Sequence, residues 1–137
     1  MFQVGEVSRR LGVNPQTLYF YERIGLIPSP QRTKAGYRIF SEEDVERLAF
    51  IVRCKSLGLT LDEIKEILAL KNGRSLTCQA VHDRLNQKVE DIEDKIRHLQ
   101  TLRSELLPLI ERCQTNLDPL NTDRQCIVLE ETRETDD

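Results

Sequence analysis

The sequence predicts a mainly α-helical protein with a helix-turn-helix near its start and one long helix behind it. Two short helical segments joined by a glycine turn come first, and a pattern of apolar residues spaced by three and four follows later in the chain. At 137 residues the chain has room for one domain with an appendage. It contains neither a run of eighteen apolar residues nor the apolar core of a signal peptide, which predicts a cytoplasmic protein that does not enter membranes.

The helix-turn-helix is predicted over residues 3–26. Apolar side chains recur at helical spacing in the first segment, QVGEVSRRLGV, and we expect Gly12 to end that helix. The second segment, NPQTLYFYERIGL, begins with Asn14 as a helix N-cap and Pro15 at the first helical position, where no N–H is needed. We expect Gly25 to end this second helix.

A small β-hairpin and two further helices are predicted next. The segment IPSPQRTKAGYRIF has two prolines, a glycine and alternating residues at YRIF, which is typical of a turn followed by a hairpin. Ser41 and the three acidic residues after it favour a helix start at SEEDVERLAFIVRCKSLG. Thr60 and Glu63 form a capping box for a helix over TLDEIKEILAL, and KNGRS is expected to end it.

One long helix is predicted from Thr77 to about Cys113. Its apolar residues follow the 3.5-residue repeat of a coiled coil: Val81, Leu85, Val89, Ile92, Ile96, Leu99, Leu102, Leu106 and Leu109. One helix cannot bury this stripe alone, so we expect a second copy of the chain to cover it. Pro108 is expected to kink or end the helix, because proline removes a helical hydrogen bond.

The charge of the chain is distributed unevenly. Residues 1–40 carry six basic and two acidic side chains, a net charge of +4, whereas residues 76–137 carry eight basic and fourteen acidic ones, a net charge of −6. A basic front predicts contact with a polyanion. The side chains there that can donate hydrogen bonds to bases or phosphates are Gln16, Thr17, Tyr19, Tyr21, Arg23, Arg32, Lys34, Tyr37 and Arg38. The alternative is that the tyrosines pack into a small core and the arginines are solvated.

These segments resemble a known family. VGEVSRRLGVNPQTLYFYERIGLIPSPQRTKAGYRIFSEEDVERLAFI, continued by LGLTLDEIKEIL, is similar to the winged-helix DNA-binding domain of the MerR family of transcription regulators. The resemblance implies that Thr17, Tyr19, Arg23, Tyr37 and Arg38 contact DNA. It also implies a homodimer on a palindromic promoter whose spacer is too long for RNA polymerase. The effector-bound dimer then bends and untwists that promoter DNA.

Three of the four cysteines are placed for a metal site shared by two chains. Cys78 and Cys113 are five heptads apart on the same face of the long helix, which separates them by about 50 Å. In an antiparallel dimer, Cys78 of one chain would meet Cys113 of the other, at two symmetric places. Cys126 follows Cys113 after a short loop and can fold back to the same place. Thiolates are soft ligands, so the trio predicts a soft or borderline metal ion.

The cysteine arrangement also resembles the metal-sensing branch of the MerR family, which includes sensors of mercury, zinc, cadmium and lead. Cysteine at the helix start, in TCQAV, implies a divalent ion, since copper and silver sensors have serine there. The loop is longer than in that branch, lacks histidine and has Gln114 where zinc sensors tend to have cysteine. These departures favour mercury, lead or cadmium over zinc. Candidates for a fourth ligand are His82, Asp118 and Asp123.

Several alternatives remain open. The cysteines can be small buried residues, or Cys113 and Cys126 can form a disulfide, which a reducing compartment disfavours. Cys54 offers a thiol redox or electrophile sensor of the same fold. A coiled-coil protein whose charged head binds another protein also fits the long helix. An enzyme is not indicated, because the sequence has neither a nucleophile–base motif nor a phosphate-binding glycine loop.

We therefore predict a winged helix-turn-helix with connector helices over residues 1–72 and a long antiparallel dimerisation helix over 75–113. A metal-binding loop follows over 114–128, and an acidic disordered tail over 129–137. The predicted function is a metal-responsive regulator that binds double-stranded promoter DNA with RNA polymerase. It would control metal-resistance or efflux genes in response to Hg, Pb, Cd or Zn.

Overall fold

The computed structural model describes residues 1–117 and 124–130. The chain divides into two compact units, Met1–Val81 and His82–Asp137. The first unit contains three short strands and four helices, and the second contains most of the long helix and a terminal 3-10 turn.

The first unit combines a helix-turn-helix with a three-stranded antiparallel sheet. Its elements are β1 (Phe2–Gln3), α1 (Val4–Leu11), α2 (Pro15–Arg23), β2 (Gln31–Arg32), β3 (Arg38–Phe40), α3 (Glu42–Ser56) and α4 (Leu61–Asn72). The strand order is β1-β3-β2, with Phe2 opposite Phe40 and Gln31 opposite Ile39. The predicted hairpin is confirmed. Strand β1 was not predicted, because two residues are too few to show the period-two alternation of a strand.

The turn between α1 and α2 forms as the sequence predicts. Gly12 ends α1 with a φ of 67°, a left-handed conformation that glycine adopts without steric cost. The Asn14 side chain accepts a hydrogen bond from the backbone N–H of Gln16 at 2.8 Å, and Pro15 is the first helical residue. Helix α2 ends at Arg23, just before Gly25, whose φ is 77°. These local signals set the angle at which α2 leaves the turn.

Helices α3 and α4 both begin with the predicted caps. Ser41 and Asp44 exchange side-chain hydrogen bonds with each other's backbone N–H at 2.9 and 3.1 Å. Thr60 and Glu63 do the same at the start of α4, which confirms that capping box. Helix α3 packs on α1 and β3, and α4 packs on α3. Val7, Leu48 and Ile64 are buried in one core, which also contains Leu18 of α2 and Phe40 of β3.

The long helix α5 runs continuously over Cys78–Thr115. The prediction of a single long helix is confirmed, but Pro108 does not end it, since the helix continues for seven residues beyond that proline. Proline lacks the N–H that would donate to the carbonyl four residues earlier, but the loss of this one hydrogen bond does not end α5. The stripe that includes Leu85 and Ile96 is exposed in the single chain, and the exposed fraction of Ile96 is 49%.

Beyond α5 the structure describes residues 116–117 and 124–130. A 3-10 turn spans Val128–Glu130, and the side chain of Val128 is buried. The first two residues of the predicted disordered tail, Leu129 and Glu130, therefore belong to an ordered turn. The rest of that prediction, residues 131–137, lies outside the described residues.

Candidate functional site

Helix α2 carries buried side chains on one face and more exposed side chains on the other. Leu18 and Tyr21, three positions apart, point into the core of the first unit, whereas Gln16 and Arg23 are exposed and Tyr19 is half-buried. Tyr21 was expected among the hydrogen-bond donors to DNA, and the structure corrects this, because the exposed fraction of its side chain is only 6%. Burial also raises the pKa of the Tyr21 hydroxyl. The outer face of α2 thus carries Gln16, Tyr19 and Arg23, together with the half-buried Thr17.

The hairpin presents the second group of predicted DNA contacts. Thr33 and Tyr37 close its tip, with the backbone N–H of Thr33 donating to the carbonyl of Tyr37 at 2.8 Å. The Arg32 guanidinium donates to the carbonyl of Gly36 at 2.8 Å, so this side chain lies along the hairpin. Lys34 and Tyr37 project from the tip, and the exposed fraction of Tyr37 is 66%. The hairpin therefore offers basic and hydroxyl groups at its exposed end.

One ion pair links α2 to the hairpin. The Nε atom of Arg38, on β3, donates to the Oε1 atom of Glu22, on α2, at 2.7 Å. The guanidinium carbon of Arg38 also lies 4.4 Å from the centroid of the Tyr19 ring, within the range of a cation–π contact. Glu22 was not among the predicted site residues. Glu22 and Arg38 are 16 residues apart, so no helix or strand periodicity in the sequence links them. Their contact is visible only once α2 and β3 are placed side by side.

The thiols of Cys113 and Cys126 lie side by side in the second unit. Cys113 is in the last turn of α5 and Cys126 precedes the 3-10 turn, and their Sγ atoms are 3.7 Å apart. Both cysteines are free. The hydrogen bond with Cys126, and some loss of hydration, raise the pKa of the Cys113 thiol, while the neighbouring Arg112 opposes this shift. The folding back of Cys126 on Cys113, expected from the sequence, is confirmed.

Cys78 is exposed in the first turn of α5, where the Thr77 hydroxyl accepts a hydrogen bond from the N–H of Ala80 at 3.1 Å. His82 is also exposed, and its Nδ1 atom lies 3.2 Å from a carboxylate oxygen of Asp83. The candidate ligands Asp118 and Asp123 lie outside the described residues. Within residues 1–117 and 124–130, no three histidine, cysteine or acidic side chains of one chain are grouped to hold a metal ion.

Cys54 has a different environment from the other cysteines. It is buried in the core of the first unit among the apolar residues of α3 and α4. Burial raises the pKa of its thiol, although the nearby Arg53 opposes the shift. Because the thiolate is the reactive form, a buried thiol with a raised pKa is poorly suited to react with oxidants or electrophiles. This environment favours the packing role over the sensor role for Cys54.

Comparison with known proteins agrees with this geometry. Residues 2–71 match the family described as MerR HTH family regulatory protein, and residues 45–109 match the MerR DNA-binding family. The chain belongs to the MerR family. MerR-family members are transcription regulators and not enzymes, so the chain is a DNA-binding regulator.

Three MerR-family relatives show how far the similarity extends. The mercuric resistance operon regulatory protein of Bacillus cereus is 43% identical, over 85% of this chain and 89% of the relative. The heavy metal-dependent transcription regulator 2 of Rhizobium meliloti is 33% identical, over 93% and 84%. The crystal structure of PbrR691 from Ralstonia metallidurans with lead(II) superposes with a TM-score of 0.74 at 32% identity, covering 95% of this chain and 98% of that one. The similarity therefore spans both the DNA-binding head and the long helix.

Helix α5 is the longest described helix, and its charged residues rule it out as a transmembrane segment; no other helix in the described ranges could cross a membrane either.

Proposed function

We propose that this MerR-family regulator binds promoter DNA as a homodimer and responds to a soft divalent metal ion. Cys113 and Cys126 of one chain would hold the ion together with Cys78 of the partner subunit. The observation that carries the proposal is the 3.7 Å separation of the Cys113 and Cys126 sulfur atoms at the end of α5. Two thiols this close that are not joined by a disulfide can both bind one thiophilic ion.

The chemistry of the donors supports mercury, lead or cadmium, with zinc as a weaker candidate. Thiolates bind soft ions in preference to hard ones, whereas structural zinc usually requires four ligands. His82 is exposed and paired with Asp83, which does not favour it as the fourth ligand. The relatives named for mercuric resistance and for a complex with lead(II) support the same group of ions.

The dimer is supported by the exposed stripe of α5. Its side chains include Leu85, Ile92, Ile96 and Leu99, all at least two-fifths exposed in the single chain. A stripe with this repeat is buried most simply by a second α5. Cys78 and Cys113 are separated by a whole number of heptads, so an antiparallel pairing would bring Cys78 of the partner subunit to the Cys113–Cys126 pair.

The DNA contacts are proposed for the outer face of α2 and for the hairpin. Helix α2 would enter the major groove with Gln16, Thr17, Tyr19 and Arg23, because a single helix fits that groove. The hairpin would contact phosphates through Arg32, Lys34, Tyr37 and Arg38. The supporting observation is that each of these side chains is exposed or half-buried, while Tyr21 and Leu18 anchor α2 to the core.

Metal capture would be coupled to DNA through the end of α5. Binding by both thiols would hold Cys126 against the end of α5 and join the pair to Cys78 of the partner subunit, which would favour one arrangement of the dimer over another. On promoter DNA that change would bend and untwist the site for RNA polymerase. The regulated genes would be those of metal resistance or efflux.

The test is an anaerobic titration of the reduced protein with mercury, lead, cadmium and zinc, followed by thiolate-to-metal absorption. Homodimers of Cys78→Ser and of Cys113→Ser should each lose both sites. A mixed dimer of the two variants should keep one intact site, with the thiols contributed by different chains. Cys54→Ser is the matched control and should bind like the parent. Full binding by the Cys78→Ser homodimer would refute the site shared across chains.

A further inference from the structure

Glu22 is an acidic residue in a place where electrostatics disfavours one. It lies in the last turn of α2, and a carboxylate near a helix C-terminus faces the negative end of the helix dipole. It also neighbours the residues proposed to contact DNA, whose phosphates repel negative charge. Some interaction of Glu22 must offset both effects.

That interaction is the contact with Arg38. Glu22 occupies one N–H of the guanidinium, at Nε, with a donor–acceptor distance of 2.7 Å. Tyr19 covers one face of the same group, with its ring centroid 4.4 Å from the guanidinium carbon. The exposed fractions of the Arg38 and Glu22 side chains are 25% and 16%, so the pair is partly shielded from solvent. Arginine has five N–H donors, and the four on the Nη atoms have no protein acceptor within the described residues.

We propose that Glu22 is a positioning residue for DNA binding, which holds the guanidinium of Arg38 against Tyr19 so that its Nη atoms face a DNA phosphate. The inference rests on the proposed DNA contact of Arg38. A guanidinium fixed before binding loses less rotamer freedom when it meets the phosphate, and its planar fork suits two hydrogen bonds to phosphate oxygens. The same contact ties β3 to α2, so the hairpin and the helix approach the duplex at a fixed separation.

The proposal predicts that removing Glu22 changes the affinity for DNA in the opposite direction from the one that charge alone would give. Removing an acidic side chain from a DNA-binding surface would, through charge alone, tighten DNA binding. If Glu22 positions Arg38, Glu22→Ala should instead weaken binding by about tenfold and lower the slope of log affinity against log salt by up to about one phosphate contact. Glu46→Ala is the matched control, since Glu46 is an exposed acidic residue of α3 with no ion pair in the described part of the chain. It should leave binding unchanged or slightly tighter.

The measurement is fluorescence anisotropy of a labelled duplex selected from a random-sequence library by the parent protein. Glu22→Gln keeps an oxygen that can accept from Nε, so this variant should recover part of the lost affinity. The double variant of Glu22→Ala with Arg38→Ala should bind no worse than Arg38→Ala alone, because Glu22 then has no guanidinium to position. Circular dichroism melting of each variant shows whether the head remains folded.

The outcomes separate this proposal from the proposed function. If Arg38→Ala binds DNA like the parent, the DNA contact of Arg38 is wrong and the role of Glu22 fails with it. If Arg38→Ala weakens binding but Glu22→Ala does not, only the positioning role is refuted. An equal loss from Glu22→Ala with and without Arg38 would also overturn it, because Glu22 would then act through the fold rather than through Arg38.

Discussion

The Sγ atoms of Cys113 and Cys126 lie 3.7 Å apart as free thiols, one at the end of α5 and the other just before the 3-10 turn. The two residues are 13 positions apart in sequence. A single chain therefore brings two sulfur ligands together before any ion arrives, and only the third proposed thiolate must come from a second chain.

Loss of the Cys126 thiol should abolish the stabilisation of the folded dimer by a metal ion. An ion that binds only the folded dimer stabilises it by about 2.7 kcal/mol at a free concentration of 100 times Kd. Cys126→Ser removes a direct ligand, and loss of outer-shell partners alone weakens metal sites by about 10–100-fold, so we expect at least about a hundredfold loss of affinity. Thermal melting with and without cadmium should show a rise in Tm for the parent and for Cys54→Ser, but none for Cys126→Ser. An equal rise in all three proteins would contradict the pair as the site.

A charge placed in the stripe of α5 should separate the proposed dimer. Ile96 lies among the exposed apolar residues, and a glutamate there would be buried at the interface, at a cost of several kcal/mol per ion. We expect Ile96→Glu to raise the dimer dissociation constant by at least about a hundredfold. Thr101→Glu adds the same charge on the opposite face of α5 and should leave the dimer intact. Sedimentation velocity over a range of concentrations measures both, and a dimeric Ile96→Glu would show that another surface carries the assembly.

The capping box of α3 should contribute measurably to the stability of the head. The Ser41 hydroxyl accepts from the N–H of Asp44 at 3.1 Å, and loss of such a cap costs about 1 kcal/mol. Ser41→Ala should lower the free energy of unfolding by that amount in urea titrations followed by circular dichroism. Ser29→Ala, in the exposed loop before β2, serves as the control and should unfold like the parent. A Ser41→Ala variant as stable as the parent would mean that water replaces the cap at little cost.

The buried Tyr21 should make the head less stable at alkaline pH. Burial raises the pKa of its hydroxyl in the folded state, so the unfolded chain loses this proton first as the pH rises. The stability linked to Tyr21 is therefore complete below the ordinary tyrosine pKa of about 10 and is lost as the pH rises through the folded-state pKa. Tyr21→Phe should show a shallower fall in Tm above about pH 10 than the parent.

The control for this pH profile is Tyr37→Phe. The Tyr37 ring is 66% exposed at the tip of the hairpin, so its replacement should reproduce the parent profile. Identical profiles for Tyr21→Phe and the parent would show that other groups, with Cys54 as the first candidate, dominate the alkaline loss of stability.

Features that depend on neighbours in sequence could be predicted, whereas features that depend on the packing of distant segments could not. The caps at Asn14, Ser41 and Thr60 each involve residues two or three positions apart, so the residue types alone indicate them. The assignment of Tyr21 to a DNA-facing surface was wrong, because one face of α2 packs on the core and the other is exposed. The periodicity of the sequence does not say on which of the two faces Tyr21 lies. The DNA-binding and metal-binding residues themselves stay predictions.

The other differences have equally specific reasons. Pro108 removes one hydrogen bond from α5, and a helix with a full ladder on either side of the gap remains continuous through Thr115. The Glu22–Arg38 pair depends on which residues of β3 lie opposite α2, a register that composition and periodicity do not determine. In our proposal the third ligand of the metal site is Cys78 of the partner subunit, so the contacts within one chain do not include it.

The exposed stripe of α5 makes protein concentration a structural variable. Below the concentration at which two chains meet, the apolar stripe of α5 stays exposed, and a newly made chain leaves it open to other proteins with the same repeat. Assembly from two identical chains depends on the square of their abundance. A twofold change in synthesis would then alter the number of working sensors by up to about fourfold when chains are scarce, so gene dosage itself would adjust the response threshold.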